Sequence, residues 1–285
     1  MATLTIARLT VLEATRRRLV LALVLLTLVV IGLTGWGFQH ISHLTDAAGQ
    51  PVPADERRFG VSQVLILVEF MFSGVLALSA AVAAAPAVSA EVESGLSLAI
   101  LARPIGRAQV LIGKWLGLAL LILLYTVAAS ALELVVVAAV SGYSPPSPVP
   151  AVAYLVAEAV VIMSLTLLLS TRLSGMTAGV IALVLFFVAW IGGIAGTIGE
   201  VFGNAGIRNA GTISQLVLPT DALWRGSVFN LEPALYQAVV GGTTARGGDP
   251  FFVASPPSTA FLVWCAAWLV GIMALAALSF RRREI

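Results

Sequence analysis

Residues 111–141 read LIGKWLGLALLILLYTVAASALELVVVAAVS, an apolar run in which Lys114 and Glu133 are the only charged side chains. A helix needs about 20 predominantly apolar residues to cross the hydrocarbon core of a bilayer. The run is long enough to do so, and it lacks the strict apolar–polar alternation of a transmembrane barrel strand. It therefore predicts a membrane-spanning helix.

Five more runs of this kind occur in the chain, which is 59% hydrophobic and 11% charged. Soluble domains are about 45–50% apolar and about 25% charged. The sequence thus predicts an all-α integral membrane protein, with six transmembrane helices in a single domain over residues 1–285. The six runs are Leu19–Phe38, Val61–Ala90, Leu111–Ser141, Ala151–Thr171, Met176–Gly199 and Thr259–Phe280.

The basic residues indicate how the helices cross the membrane. An even number of spans places both termini on one side, and cytoplasmic loops carry an excess of Lys and Arg. Both termini are therefore expected in the cytoplasm, and the net charge of +2 is no evidence for nucleic-acid binding. Eleven of the 16 basic residues lie on the side of the termini: Arg8, Arg16, Arg17, Arg18, Arg103, Arg107, Lys114, Arg172, Arg281, Arg282 and Arg283.

The first 18 residues have their own helical pattern. Leu4, Ala7, Val11 and Ala14 recur at helical spacing before the first span. An amphipathic helix of this kind lies in the membrane interface. The sequence predicts an N-terminal elbow helix over residues 1–18.

The longest segment between spans, residues 200–258, lies on the opposite side and is rich in apolar residues. It predicts short interfacial or re-entrant helices, one of them capped by Thr220 or Asp221 after Pro219. Two interpretations stay open: a lid packed on the outer helix ends, or part of a substrate-binding site.

Three acidic residues, Glu69, Glu133 and Glu158, fall inside the predicted spans. Counted from the outer helix ends, all three lie about 10–12 Å deep. Ionisable groups at such depth face a bundle interior or a water-filled cavity. They either form an acidic collar around a translocation path for a cationic or hydrogen-bonding substrate, or hydrogen-bond across helices.

Sequence signatures of common catalytic sites are absent. The chain has no GxxxxGK[ST] phosphate loop, no HExxH and no GxSxG motif. His40, His43 and Asp46 stand at three-residue intervals that fit a metal or, more simply, a polar helix end. Cys265 is the only cysteine, so neither a disulfide framework nor a thiol metal site is expected. The sequence predicts no catalytic residue and no metal.

Residues 90–114, AEVESGLSLAILARPIGRAQVLIGK, form a charged insert between the second and third spans. The second span, about 45 Å long as a continuous helix, overshoots the bilayer and places this insert in the cytosol. A short helix on such a stem is suited to receive motion from a soluble partner. The alternative is a hairpin on the lipid headgroups, anchored by Arg103, Arg107 and Lys114.

The insert resembles a motif of ABC-2 type permeases, the membrane subunits of ATP-binding cassette exporters. EVESGLSLAILARPIGRAQVLIGKWLG (residues 91–117) is similar to their pattern of paired acids, an apolar run, Arg-Pro and Gly-Lys. The permeases of nitrous-oxide-reductase maturation share it. LPTDALWRG (residues 218–226) resembles the same group more weakly, and the six-span layout agrees with it.

The resemblance implies a permease that assembles with a second copy or a paralogue and with two ATP-binding cassette subunits, which carry ATP and Mg. The coupling segment is residues 91–110, and Arg172 offers a second contact. The bacterial or archaeal plasma membrane is the implied location. The matching coupling residues are Glu91, Glu93, Ser94, Gly95, Arg103 and Pro104.

Two other functions stay open. One is an ATP-independent secondary transporter or channel, although paired broken helices or a filter motif are not visible in the sequence. The other is a non-transporting regulatory subunit. The sequence does not identify the substrate, and export as the direction is implied by the resemblance alone.

Overall fold

Six long apolar helices determine the architecture. The computed structural model describes residues 2–15, 18–42, 53–93, 106–232, 251, 253 and 255–282. Within these ranges the chain forms helices and turns but no strand. This confirms the predicted all-α membrane fold. The helices long and apolar enough to span a membrane cover Val20–His40, Gly60–Ala90, Arg107–Ser141, Pro148–Ser170, Gly175–Val201 and Thr259–Arg281.

Ten helices are present in the described ranges. They are α1 (Ala2–Thr15), α2 (Arg18–Ser42), α3 (Ala54–Ala84), α4 (Pro86–Glu93), α5 (Arg107–Ser141), α6 (Pro148–Ser170), α7 (Gly175–Val201), α8 (Ala205–Val217), α9 (Thr220–Leu231) and α10 (Thr259–Arg281). The side of the bundle that holds the α7–α8 turn is called the outer side below. The side that holds the α6–α7 turn is called the inner side.

The second span is broken near its inner end. Helix α3 ends at Ala84, and α4 begins at Pro86. Proline lacks an N–H group and its ring clashes with the carbonyl four residues earlier, so it interrupts a helix. Ala85 still donates its N–H to the Ala81 carbonyl at 2.8 Å, which keeps the two segments in close succession. The span still runs from Gly60 to Ala90 with a helical backbone at Ala85, so the expected long stem is present and is interrupted only before Pro86.

Helix α6 is the centre of the bundle. It packs against α3, α5, α7, α9 and α10, and Leu155, Ile162 and Met163 have 0–2% of their surface exposed. Residues 161–167 are all buried, and a helix segment covered in this way must be apolar around its whole circumference. Three of its hydroxyl groups donate back to carbonyls of the same helix and so need no outside partner. Glu158, its only charged residue, stands out in this setting.

Helix α1 packs along the inner half of α5. A Cβ added at Gly113 would lie 2.8 Å from the Thr3 carbonyl oxygen, so the backbones of the two helices are in close contact. Ile6 touches the same glycine, whereas Leu4 is 72% exposed. The sequence predicts Leu4 on the side of this helix that faces the membrane interface, and its exposure is compatible with that position. Ile6 makes the contact with α5, because Gly113 leaves room for it.

Helix α8 folds back along the outer half of α7. A Cβ added at Gly196 would lie 3.0 Å from the Cα atom of Gly211, and the Ser214 hydroxyl donates to the Ala189 carbonyl at 3.4 Å. These pairs run in opposite order along the two helices, so α8 descends as α7 ascends. Ala189 precedes the end of α7 at Val201 by about 18 Å at 1.5 Å per residue. Helix α8 therefore re-enters the span layer.

Helix α9 returns toward the outer side, packed against α3, α6 and α7. Gly226 lies against the Tyr154 ring, where a Cβ would be 2.6 Å from ring carbons. At the outer end, the Tyr143 hydroxyl donates to the Leu231 carbonyl at 2.6 Å. Burial, and secondarily the Glu232 carboxyl, raise the pKa of this phenol above its ordinary value. The α8–α9 pair is thus a hairpin inserted among the spans, deeper than a lid on their ends.

The last span holds the end of α8 through two indole groups. Trp264 and Trp268 donate their ring N–H to the carbonyl oxygens of Leu216 and Val217 at 3.0 and 2.8 Å. The last carbonyls of a helix have no partner within it. In hydrocarbon an unsatisfied carbonyl is costly, so these bonds stabilise a helix end inside the span layer.

The outward faces of the bundle are apolar. Leu21 on α2 is 65% exposed, Ile191 on α7 is 59% exposed and Val270 on α10 is 71% exposed. Such surfaces are stable in contact with lipid chains or with another membrane subunit. They agree with a multi-pass membrane protein.

Candidate functional site

The three acids predicted inside the spans are all buried in the bundle. Glu69 on α3, Glu133 on α5 and Glu158 on α6 have 3%, 2% and 2% of their surface exposed. Glu69 and Glu133 line the same small cavity, while Glu158 lies beside it among Ser73, Asp221 and aromatic side chains. The structure therefore brings two of the three carboxyls to a shared space.

Serine hydroxyls bind two of these acids. Ser227 on α9 donates to Glu69 Oε1 at 2.8 Å, and Ser73 on α3 donates to Glu158 Oε1 at 2.8 Å. Both bonds join different helices, as polar side chains commonly do in membrane bundles. For Glu69 and Glu158 these bonds support the interpretation that the acids hydrogen-bond across helices. They provide a partner for one oxygen of each carboxyl.

Glu133 differs from the other two acids. Neither of its carboxyl oxygens has a hydrogen-bond partner, although both are buried. The Thr34 hydroxyl lies close to this carboxyl but donates its proton to the Val30 carbonyl at 2.9 Å. Ser130, one turn before Glu133 on the same face of α5, is likewise buried and its hydroxyl oxygen has no partner.

Helix α9 adds an acid that the sequence did not place in the site. Asp221 is 2% exposed, and its Oδ2 atom accepts bonds from Arg225 Nε at 2.9 Å and Gln215 Nε2 at 2.7 Å. The predicted helix cap is wrong, because Pro219 occupies the cap position and no side chain caps the helix. The four-residue spacing of Asp221 and Arg225 could have indicated their ion pair.

The cavity between Glu69 and Glu133 is small. Its volume is about 10 Å³, and Ser130 and Ser227 complete its polar lining. A space of this size holds one water-sized group, provided that polar partners line it. The cavity is therefore large enough for a single small polar group.

At the inner side, the structure describes only part of the predicted coupling region. Helix α4 ends at Glu93, so Glu91 and Glu93 are its last turn. The side chains of these two residues lie outside the described part of the structure. So do Ser94, Gly95, Arg103 and Pro104, and the coupling helix stays a prediction.

The described basic residues near this region bind carbonyl and hydroxyl groups. Lys114 is 5% exposed and donates to the Ala87 carbonyl, so its expected role as a headgroup anchor is wrong. Arg107 donates to the Phe280 carbonyl at 3.3 Å, and Arg172 donates from Nε to the Ser279 hydroxyl at 3.0 Å. These bonds tie the inner ends of α5, α6 and α10 together.

Of the three possible metal ligands at the outer end of α2, only one lies within the described residues. His40 is exposed, and its Nδ1 atom is 3.1 Å from the Trp36 carbonyl oxygen. His43 and Asp46 are outside the described residues. Within the described ranges no three His, Cys, Asp or Glu side chains are grouped to hold a metal ion.

Nearly the whole chain matches a known protein family. A family model for the ABC-2 family transporter protein matches residues 4–285. The chain belongs to the ABC-2 transporter family. This permease is thus a multi-pass membrane component of a transport system and not itself catalytic. No curated protein matches its sequence, and the subtype of nitrous-oxide-reductase maturation stays a prediction.

Proposed function

We propose that this permease is the membrane subunit of an ATP-driven exporter and works with separate ATP-binding subunits. Two copies, or one copy with a paralogous permease, form the membrane part, with both termini on the cytoplasmic side of a bacterial or archaeal plasma membrane. Family membership supports the transport role. The absence of a phosphate-binding loop in this sequence supports a partner that supplies ATP and Mg chemistry.

The way in which α4 is held carries the proposal. This short helix, whose last turn is the Glu-x-Glu motif, packs against α6 and α7. A Cβ added at Gly175, the first residue of α7, would lie 2.9 Å from the Ser89 hydroxyl and 3.2 Å from the Ala85 carbonyl oxygen. Lys114 of α5 donates to the Ala87 carbonyl of α4. A force applied at the end of α4 is therefore transmitted directly to three spans.

The break at Pro86 suits this transmission. A helix interrupted by proline can change its angle at the break without losing further hydrogen bonds. Closure of the ATP-binding subunits would then tilt α4 together with the α6–α7 turn that contains Arg172. Rigid-body rocking of this kind is a common form of two-state transition. Through this rocking motion, docking of a partner at the inner side would move the outer halves of the spans.

The experiment is affinity purification of the tagged permease from its native membrane in mild detergent, beside the double variant Glu93→Ala with Arg103→Ala. We expect an ATP-binding subunit to co-purify with the parent and to be lost from the variant. The matched control is Arg8→Ala with Glu13→Ala, which removes one base and one acid from α1 on the same side. The control should retain the partner.

Two results would refute the assignment. If no ATP-binding subunit accompanies the parent chain in any of several detergents, an ATP-independent transporter or channel becomes the better account. If the partner is retained by the double variant as well as by the control, the permease role stands but residues 91–104 are not the docking segment.

A further inference from the structure

The cavity between Glu69 and Glu133 lacks a partner for several of its polar atoms. Glu133 Oε1, Glu133 Oε2 and Ser130 Oγ are buried without a hydrogen bond. Buried polar groups without partners are rare because each one costs about 1–3 kcal/mol, and more if charged. Among the described residues no salt bridge includes Glu69 or Glu133. These atoms are therefore poised to accept bonds from a ligand.

The free acceptors fit a primary ammonium group. A primary ammonium has three N–H donors, no acceptor and a positive charge. Three unpartnered acceptor atoms with a carboxyl among them match that group in count and charge, and the volume of about 10 Å³ admits only a water-sized group. A trimethylammonium has no N–H donor and is larger, and water has no charge to complement the carboxylate.

A lipid-facing groove adjoins the cavity. It lies between α5 and α6, has a volume of about 560 Å³, and is lined by apolar side chains that include Leu123, Val127 and Val156. Leu134 and Val152 line both the groove and the cavity. The groove is within the range of roughly 300–1,000 Å³ that small-molecule sites occupy. A hydrocarbon chain in it would have its end next to Glu133.

We propose that Glu133 and Ser130 bind the primary ammonium group of an amphiphilic amine, whose hydrocarbon tail lies in the groove between α5 and α6. The occupant combines a charge that complements the unpaired carboxyl with a tail that matches the apolar groove. Binding is a property of this chain alone. That the amine is cargo rests on the proposed function.

The test uses the full-length permease in lipid nanodiscs and a twelve-carbon primary amine with a photoreactive diazirine near the end of its tail. After illumination, labelled peptides are mapped by mass spectrometry. We expect labelling within residues 123–134 and 148–156. Excess dodecylamine should compete for it, whereas dodecanol, dodecyltrimethylammonium and sodium chloride should not.

Two variants test the two parts of the site. Glu133→Gln keeps the side-chain size but removes the charge, so site labelling should fall by about tenfold or more, as the loss of a charged hydrogen bond predicts. Leu134→Trp should reduce labelling by narrowing the passage between groove and cavity. The controls are Glu200→Gln, at the exposed end of α7, and Val180→Trp, at a position that is 52% exposed.

Equal labelling of Glu133→Gln and the parent would overturn the proposal, as would competition by dodecanol as strong as that by dodecylamine. The second comparison uses only the parent chain and is decisive even if a variant fails to fold. Loss of the ATP-binding partner in the purification above, with amine labelling retained, would refute the exporter and leave the amine site. The reverse pattern would refute the amine site alone.

Discussion

Replacing Gly211 with alanine should force α8 away from α7. An added Cβ would lie 2.8 Å from the Gly196 nitrogen and 3.0 Å from the Gly192 carbonyl oxygen. Both are backbone atoms of α7, so no side-chain rotation can make room. Overpacking costs about 1–3 kcal/mol, and backbone obstruction places this case at the upper end. Alanine regains about 1 kcal/mol because its helix propensity is higher than that of glycine. The net loss in the free energy of unfolding is therefore about 2 kcal/mol.

The assay is the apparent melting temperature in detergent, followed by size-exclusion chromatography of heated samples. In a chain of this size each kcal/mol corresponds to about 2–4 °C, so Gly211→Ala should melt roughly 4–8 °C below the parent. The matched control is Gly271→Ala on α10, where an added Cβ meets nothing within 4 Å. It should melt at or slightly above the parent temperature. Equal melting of both variants would contradict the close packing of the hairpin.

Three further changes test other contacts. Trp268→Phe removes the indole donor to the Val217 carbonyl at 2.8 Å, so stability should fall by about 1 kcal/mol, measured as a lower melting temperature. Ser227→Ala leaves a buried oxygen of Glu69 without its donor and should cost about 1 kcal/mol in the same assay; recovery of stability in a second variant that also carries Glu69→Leu would show that the unpaired carboxyl is the cause. Lys114→Met releases the inner end of the second span, so amide hydrogen exchange over residues 86–93 should accelerate while the outer half of the same span is unchanged.

The six spans could be predicted because length and composition suffice for that decision. Each apolar run matches or exceeds the roughly 20 residues that cross a bilayer. Pro86, which interrupts the second span, is visible in the sequence. It lies within an apolar run and does not change the hydropathy of that run, so hydropathy alone does not indicate the interruption. The contact of Ile6 with α5 could not be predicted, because it depends on the helix against which α1 packs.

The candidate site was predictable only in part. Counting residues gives the depth of Glu69, Glu133 and Glu158 along their helices but not the rotation of each helix about its axis. The rotation of the helices decides which two of the three carboxyl groups share a cavity. Ser227 is 158 residues from its partner Glu69, and no local pattern joins positions so far apart. The lack of a hydrogen-bond partner for the Glu133 carboxyl likewise depends on the tertiary packing and is not visible in the sequence.

Native mass spectrometry of the complex, extracted in mild detergent from the membrane of the source cell, tests the proposed exporter most directly. We expect an assembly of two permease chains with two ATP-binding chains that hydrolyses ATP in the presence of Mg. A permease that appears only by itself or with non-nucleotide-binding partners, in preparations with no ATP hydrolysis, would contradict it.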